Sequence, residues 1–284
     1  MLPIDPRIAA RWLSVRQERS RKLWRVLVGI LISITALAGA WVAARSPLLA
    51  VRHVVIAAGA HTDARTVASA AGLARRPPML DLNLGAIRAR VLALPWVARV
   101  GVQRRWPNTV AIEITERTPA AVVVGGDGHR SVVDASGRVL AVGSEAAQLE
   151  ARQVPALPAL VGLPARVAPG SWLGPGADGA LAVLHALTGA RLDQEPTPMT
   201  VTTISQSANG ALSVVLSSSL ASARTPVTVI FGSATQLSAK VSALRLVLAQ
   251  LAPGSPATID VQVADVPVLT NGNKSTIVST TQRG

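Results

Sequence analysis

Apolar residues fall along this chain in three distinct rhythms. Residues 26–44 form an unbroken apolar run with no charged side chain. Such a run is long enough to cross a hydrocarbon core as one helix, which takes about 20 apolar residues. Residues 49–120 then switch between helical and strand periods. Residues 49–57 are rich in β-branched side chains and predict a strand. A helix is expected over 63–71, capped by Thr62 and stopped by Gly72. Asn83 caps a second helix whose Leu84, Ile87 and Val91 share one face, and Pro95 ends it. From Trp96 to Arg105 the pattern alternates, with Trp96, Ala98, Val100 and Val102 on the apolar side. Trp106-Pro107-Asn108-Thr109 reads as a turn, and Val110, Ile112 and Ile114 return as a strand. The order strand–helix–helix–strand–strand makes this a small α+β domain. Trp96 and Trp106 are expected to fill its core and to close its hairpin.

The third rhythm is that of short strands. Residues 121–124, 130–134 and 138–142 are expected strands around the turns Gly125–Gly128 and Ala135-Ser136-Gly137. Residues 162–179 form a loop, and 180–188 a helix. Residues 201–205, 212–216 and 227–231 are strands, the first two joined by Asn209-Gly210, a strong hairpin signal. Ser233 caps the longest soluble helix, with Leu237, Val241, Leu244, Leu248 and Leu251 as its stripe. Residues 258–263 form the last clear strand and 266–269 extend or pair with it. From Thr270 onward the composition is that of a disordered tail. The domain plan is a cytoplasmic tail (1–25), a transmembrane helix (26–44), the small domain (49–120), a larger mixed β domain with flanking helices (121–269), and the tail (270–284).

Charge orients this plan. The net charge of +13 is divided as +5 in residues 1–25, +7 in 45–120 and +1 in 121–284. Basic residues stay on the cytoplasmic side, so the N-terminus is expected inside and the bulk outside, a type II single-pass arrangement. A cleavable secretory signal is the rival, but its apolar core is typically only about 7–15 residues. The basic residues flank an anchor and lack interleaved aromatics. They therefore point to anionic lipid or cell-wall polymer and not to nucleic acid, or to a soluble arginine-rich surface with no ligand. With no cysteine in the chain, thiolate catalysis and cysteine metal sites are excluded.

Candidate chemistry is sparse. His53, His61, His129 and His185 show no metal-ligand spacing. Gly125-Gly126-Asp127-Gly128 lacks the Lys-Ser/Thr of a phosphate loop. The serines at 217–219 have no nucleophile-elbow context. No cofactor, metal or catalytic residue is expected.

Leu94-Pro95-Trp96-Val97, then Val102, Arg104, Trp106-Pro107-Asn108-Thr109, Ile112 and Glu116-Arg117-Thr118-Pro119-Ala120 resemble the POTRA domain of the FtsQ/DivIB cell-division proteins. Residues Pro95, Trp96, Arg104, Trp106, Pro107, Glu116, Arg117 and Pro119 carry that likeness. It continues through Asp134-to-Leu140, Leu157-to-Gly162 and the series Gly232, Lys240, Leu244, Ile259-Asp260. Val261-Gln262-Val263-Ala264-Asp265 departs from the aromatic or arginine often found there. The resemblance implies a non-enzymatic, bitopic scaffold at the division septum. It would recruit FtsB/FtsL-type partners and, through them, the septal peptidoglycan synthase. A membrane-anchored cell-wall enzyme is the alternative. The resemblance also puts partner contacts toward the chain's end, so Ile259, Asp260, Val261, Gln262, Val263 and Val266 are candidate partner-binding residues if 258–263 is an edge strand. The competing reading is that this apolar row completes the core under the long helix.

Overall fold

In the computed structural model the described residues are 23–39, 41–42, 49–57, 59–153, 156–164, 166–194, 198–218, 226–251, 256–271 and 274–277. Helix α1 covers residues 23–39, and 41–42 are again helical. Among the described residues no helix is long and apolar enough to cross a membrane. Most of the expected tail, and residues 40, 43 and 44 of the expected span, lie outside those described. Within α1, Leu27, Leu31, Ile34 and Leu37 are exposed. The hydroxyls of Ser33 and Thr35 donate back to Gly29 O (2.9 Å) and Leu31 O (2.8 Å).

By contact the chain divides into two units. The first takes residues up to Val91 together with Val100–Ile114, the second Leu92–Arg99 and Thr115 onward. The first unit follows the expected order. Strand β1 (His53–Ala57) is followed by α2 (Ala64–Ala71) and α3 (Leu84–Leu92), then β2 (Val97–Arg105) and β3 (Thr109–Glu116). The sheet order is β1-β3-β2, with β1 parallel to β3 in the register Val54 to Val110 and Ile56 to Ile112. Val67, Ile87, Val91, Val100, Val110 and Ile112 are buried, as the two periodicities require. Asn83 accepts from Ala86 N at 3.0 Å, a working N-cap. Asp63, and not Thr62, caps α2, its carboxylate accepting from Thr66 N. A carboxylate at that position also complements the positive helix end.

The second unit is built on a ten-stranded sheet. Its strands are β4 (Pro119–Val124), β5 (Arg130–Asp134), β6 (Val139–Val142), β7 (Ala159–Val161), β8 (Met199–Gln206), β9 (Leu212–Ser218), β10 (Pro226–Gly232), β11 (Ala257–Asp260), β12 (Val268–Asn271) and β13 (Lys274–Ile277). Their spatial order is β13-β12-β11-β10-β9-β8-β7-β4-β5-β6. Among the described residues three α-helices accompany them: α4 (Gly143–Arg152), α5 (Asp178–Ala190) and α6 (Leu237–Gln250). Parallel pairs need a crossover: α5 connects β7 to β8, and α6 connects β10 to β11.

The sheet is buried on both faces around β4 and β5. Ala121, Val123 and Val133 join the large core with Val183, Leu184 and Leu187 of α5 and Leu244, Val247 and Leu248 of α6. Val122, Val132 and Leu140 join a second cluster with Ala146 and Leu149 of α4. Two-sided burial is why these strands read as continuous valine instead of alternating. Trp96 belongs to this second cluster and is only 6% exposed. The expectation that it fills the small domain's core is corrected. Alternation in β2 holds from Val100, but Trp96 and Val97 are both buried, so the ring serves the second unit. Trp106, at the hairpin turn, is 53% exposed.

Three further expectations change. Ser233 does not cap α6: its hydroxyl meets Thr235 Oγ1 at 2.7 Å, and Gln236 precedes the helix in the left-handed region (φ 52°). Residues 143–152 and 159–161, read as no element, are α4 and β7. Residues 270–271 and 274–277, read as tail, lie in β12 and β13, while 272–273 and 278–284 fall outside the described residues.

Candidate partner-binding surface

The candidate residues lie where β11 leaves the core. Strand β11 pairs with β10 in parallel (Val229 to Ile259) and with β12 antiparallel (Ile259 to Leu269). It is therefore interior, and the expectation of an edge strand over 258–263 is corrected. Ile259 and Val261 are 0% exposed and belong to the main core. For these two the competing core reading describes the structure. The strand itself stops at Asp260. There the carboxylate accepts from Gln262 N at 2.8 Å, and the chain turns out of the sheet. An Asx turn of this kind offers the backbone an alternative to the ladder. Beyond it Val263 and Val266 are 61% and 47% exposed, joined by Val266 N donating to Val263 O (3.3 Å). The six candidates thus divide into a buried pair, a polar turn (Asp260, Gln262) and an exposed apolar pair.

Beneath this turn sits a buried cation. Lys240 on α6 is 1% exposed, and its Nζ donates to Phe231 O and Ser233 O, both at 2.8 Å. Burial pushes its pKa below the ordinary lysine value, opposed by the Asp260 carboxylate. The ammonium satisfies two carbonyls where β10 ends, beside Val261 N donating to Ile230 O (3.0 Å). A buried charge is tolerated only with such partners. Lys240 therefore fixes the end of β10 and, with it, the start of the exposed turn.

The two edges of the large sheet differ. At β6 the outer side is covered by residues 170–172. Gly170 N donates to Val139 O (2.8 Å), Val139 N donates to Ser171 O (2.9 Å), and Arg138 bridges Trp172. At the other end, among the described residues, β13 pairs with β12 alone, in the register Leu269 to Thr276 and Thr270 to Ser275. Ser275, Thr276 and Ile277 are exposed, Ile277 by 64%. An edge of this kind presents unpaired N–H and C=O groups to another chain. Pairing by residues 266–269 was one expectation, and β12 realises it from Val268 on; β13 lies in what composition predicted as tail.

The motif residues have structural duties. Arg117 Nε donates to Val97 O (3.1 Å), and its Nη1 donates to Asp134 Oδ2 (2.6 Å). Its backbone N donates to Trp96 O (2.8 Å). Asp134 Oδ1 also accepts from Ser136 N (2.9 Å), Ser136 Oγ (2.6 Å) and Arg138 N (2.9 Å). Burial alone would raise the Asp134 pKa. The hydrogen bonds from Ser136, Arg117 and Arg138 outweigh it and hold the carboxyl below its ordinary value. Gly137 completes the turn at φ 84°, where a Cβ would lie 2.6 Å from Leu181 Cδ1, so only glycine fits. The guanidinium carbons of Arg117 and Arg138 lie 5.7 and 5.6 Å from the Trp172 ring centre, within cation–π range. Arg104 Nη2 donates to Leu82 O in the first unit. Pro95 and Pro119 are half-buried, Pro119 opening β4 opposite Asp134. Trp106–Pro107 is a cis peptide bond, and Glu116 is half-buried at the end of β3.

Gly125–Gly128 forms the expected hairpin turn, with Gly128 N donating to Gly125 O (3.0 Å). His185 lines a mainly apolar cavity of about 530 Å³ with Leu157, Pro158, Leu184 and Met199. Ser217 and Ser218 are residues of β9, with Ser217 Oγ 3.2 Å from Thr200 Oγ1. Among the described residues no group of three or more His, Cys, Asp or Glu could hold a metal ion.

Comparison with known families bears on both units. Residues 49–117 match the model of the FtsQ-type POTRA domain, and residues 121–266 that of the C-terminal domain of cell division protein FtsQ/DivIB. The chain belongs to the FtsQ/DivIB family. Cell division protein FtsQ of Zymomonas mobilis is 31% identical over 166 residues, covering 54% of this chain and 50% of that protein. FtsQ of Corynebacterium glutamicum is 28% identical over 127 residues, 44% of this chain and 55% of its own length. FtsQ of Mycolicibacterium smegmatis is 31% identical over 109 residues, 38% and 33% respectively. The chain thus spans about half the length, or less, of these relatives. In this chain a POTRA module is thus followed by an FtsQ/DivIB C-terminal domain.

Proposed function

We propose that this FtsQ/DivIB-family chain is a single-pass, type II membrane scaffold of the division septum. It recruits FtsB/FtsL-type partners and so links them to septal peptidoglycan synthesis. The observation that carries the recruiting role is the open β13 edge. The opposite edge is bonded at Val139 by Gly170 and Ser171, whereas among the described residues β13 has no second strand beside it and leaves Ile277 exposed. A partner segment adding a strand there gains main-chain hydrogen bonds for affinity and side-chain contacts for specificity. Val263 and Val266 supply further exposed apolar surface in the same C-terminal stretch. The anchor is supported by the charge-free run 26–44 behind a basic leader. The back-bonded hydroxyls of Ser33 and Thr35 also fit lipid, where every polar group needs an internal partner.

The cysteine-free chain makes the test direct. Thr276→Cys carrying a photoactivatable maleimide should give, in dividing cells, an adduct that mass spectrometry identifies as an FtsB- or FtsL-type protein. Ser275→Pro and Thr276→Pro remove neighbouring ladder donors, one facing β12 and one facing outward. One of the two should keep the melting temperature and lose the adduct made from an Ile277→Cys label. No adduct beyond that from Ser144→Cys, an exposed α4 control, would refute docking at this edge.

A further inference from the structure

Three segments far apart in sequence meet where the chain enters the first unit. Val51 N donates to Pro77 O (3.0 Å), and Ala50 bridges Pro78. Arg52 N and His53 N both donate to Asn108 O, at 2.9 and 3.2 Å. The start of β1, the turn after α2 and the β2–β3 turn therefore share one end of the unit. Each brings exposed basic residues: Arg52 and His53, Arg75 and Arg76, and Arg105. Residues 49–53, 74–78 and 105–109 contain no acid. Among the described residues none of the four arginines forms an ion pair. Arg76 sits in the left-handed region at φ 50°, which a residue other than glycine, asparagine or aspartate seldom occupies. Trp106, next to Arg105 in the β2–β3 turn, is 53% exposed, although a lone apolar ring in water is unfavourable and indole prefers a membrane interface.

We propose that Arg52, Arg75, Arg76, Arg105 and Trp106 form a phospholipid-contact surface that holds the first unit against the anionic headgroups of the leaflet from which the chain emerges. This rests on the reading of residues 26–44 as an anchor. The chain between residues 42 and 49 can then reach at most about 25 Å, so this end of the unit stays near the bilayer whatever path the connection takes. Unpaired arginines gain from a negatively charged surface, falling off within a Debye length. The indole enters the headgroup layer beside them. An anionic wall polymer would satisfy the guanidiniums but leaves the exposed indole without a role, so lipid is the occupant the surface fits better.

The experiment uses the full chain in nanodiscs of phosphatidylcholine alone or of an equal mixture with phosphatidylglycerol. Ala74→Cys, exposed between α2 and Arg75, takes an environment-sensitive dye as the chain's sole thiol. A quencher on the lipid headgroup should dim the dye in the phosphatidylglycerol discs, less so in phosphatidylcholine and less so at high salt. Combined Arg52→Glu, Arg75→Glu and Arg105→Glu should weaken the surface contact about a hundredfold, at about fivefold for each basic residue lost, and restore the emission. Trp106→Ser should weaken quenching in both lipids. A disc-embedded chain whose dye ignores lipid charge and the triple substitution would overturn the proposal and leave the anchor standing. A chain that does not enter the discs would overturn the anchor and the proposal with it. Lipid-independent but substitution-sensitive binding to soluble polyphosphate would reassign the arginines to an anionic wall polymer, which also overturns it.

Discussion

Truncating Trp96 discriminates between a motif residue that serves the small domain and one that serves the domain after it. The ring lies at 6% exposure against Val122, Val132, Leu140, Ala141, Ala146 and Leu149. A buried indole removes about 150–250 Å² from water, worth roughly 4–6 kcal/mol at about 25 cal/mol per Å². Part of that survives in the alanine methyl and in collapse of the neighbours, so Trp96→Ala should cost about 3–5 kcal/mol. Hydrogen exchange followed by mass spectrometry on the full-length chain reads this locally. Amides of β4, β5, β6 and α4 should lose protection by roughly 150- to 5,000-fold, at tenfold for each ~1.4 kcal/mol. Amides of β1 and α2 in the first unit should be unchanged. Trp106→Ala, which removes a half-exposed ring, should move either set by no more than about 0.5 kcal/mol. Equal loss across both units, or none in β4–β6, would refute the assignment of this ring to the second unit's core.

Asp134 predicts a pH effect. Its folded pKa is depressed below the ordinary 3.8. Its stabilising share is therefore complete above the unfolded value and is lost as pH falls through the folded one. Asp134→Asn should lower stability at neutral pH by about 1.5–3 kcal/mol and flatten the acid limb of a stability–pH curve, whereas an unaltered acid limb would show that the Arg117 and Ser136 contacts do not favour the charged form. Lys240→Met should destabilise the second unit by about 1–3 kcal/mol by stranding Phe231 O and Ser233 O. It should also raise exchange of amides in residues 260–266, and a variant as protected there as the parent would remove Lys240 from any role in positioning the C-terminal turn.

What the sequence determined by itself was local. Strand and helix periods, the caps at Asn83 and Gly72 and the hairpins around Gly125–Gly128 and Asn209-Gly210 depend on neighbours a few residues away. So do the charge-free run 26–44 and the ordered motif from Leu94 to Ala120. Each could be read because backbone preference and side-chain alternation act over that distance. Helix α4 escaped because only Ala146 and Leu149 are buried on it, too short a stripe to show a period. Strand β7 escaped because it has three residues. Tertiary structure alone decided which core Trp96 fills, since alternation says which face is apolar but not what will cover it. It also decided that Ile259 and Val261 are interior. An apolar row looks the same whether it completes a sheet or ends one, and only the pairing of β12 and β13 put residues 274–277, which composition predicted as tail, outside β11.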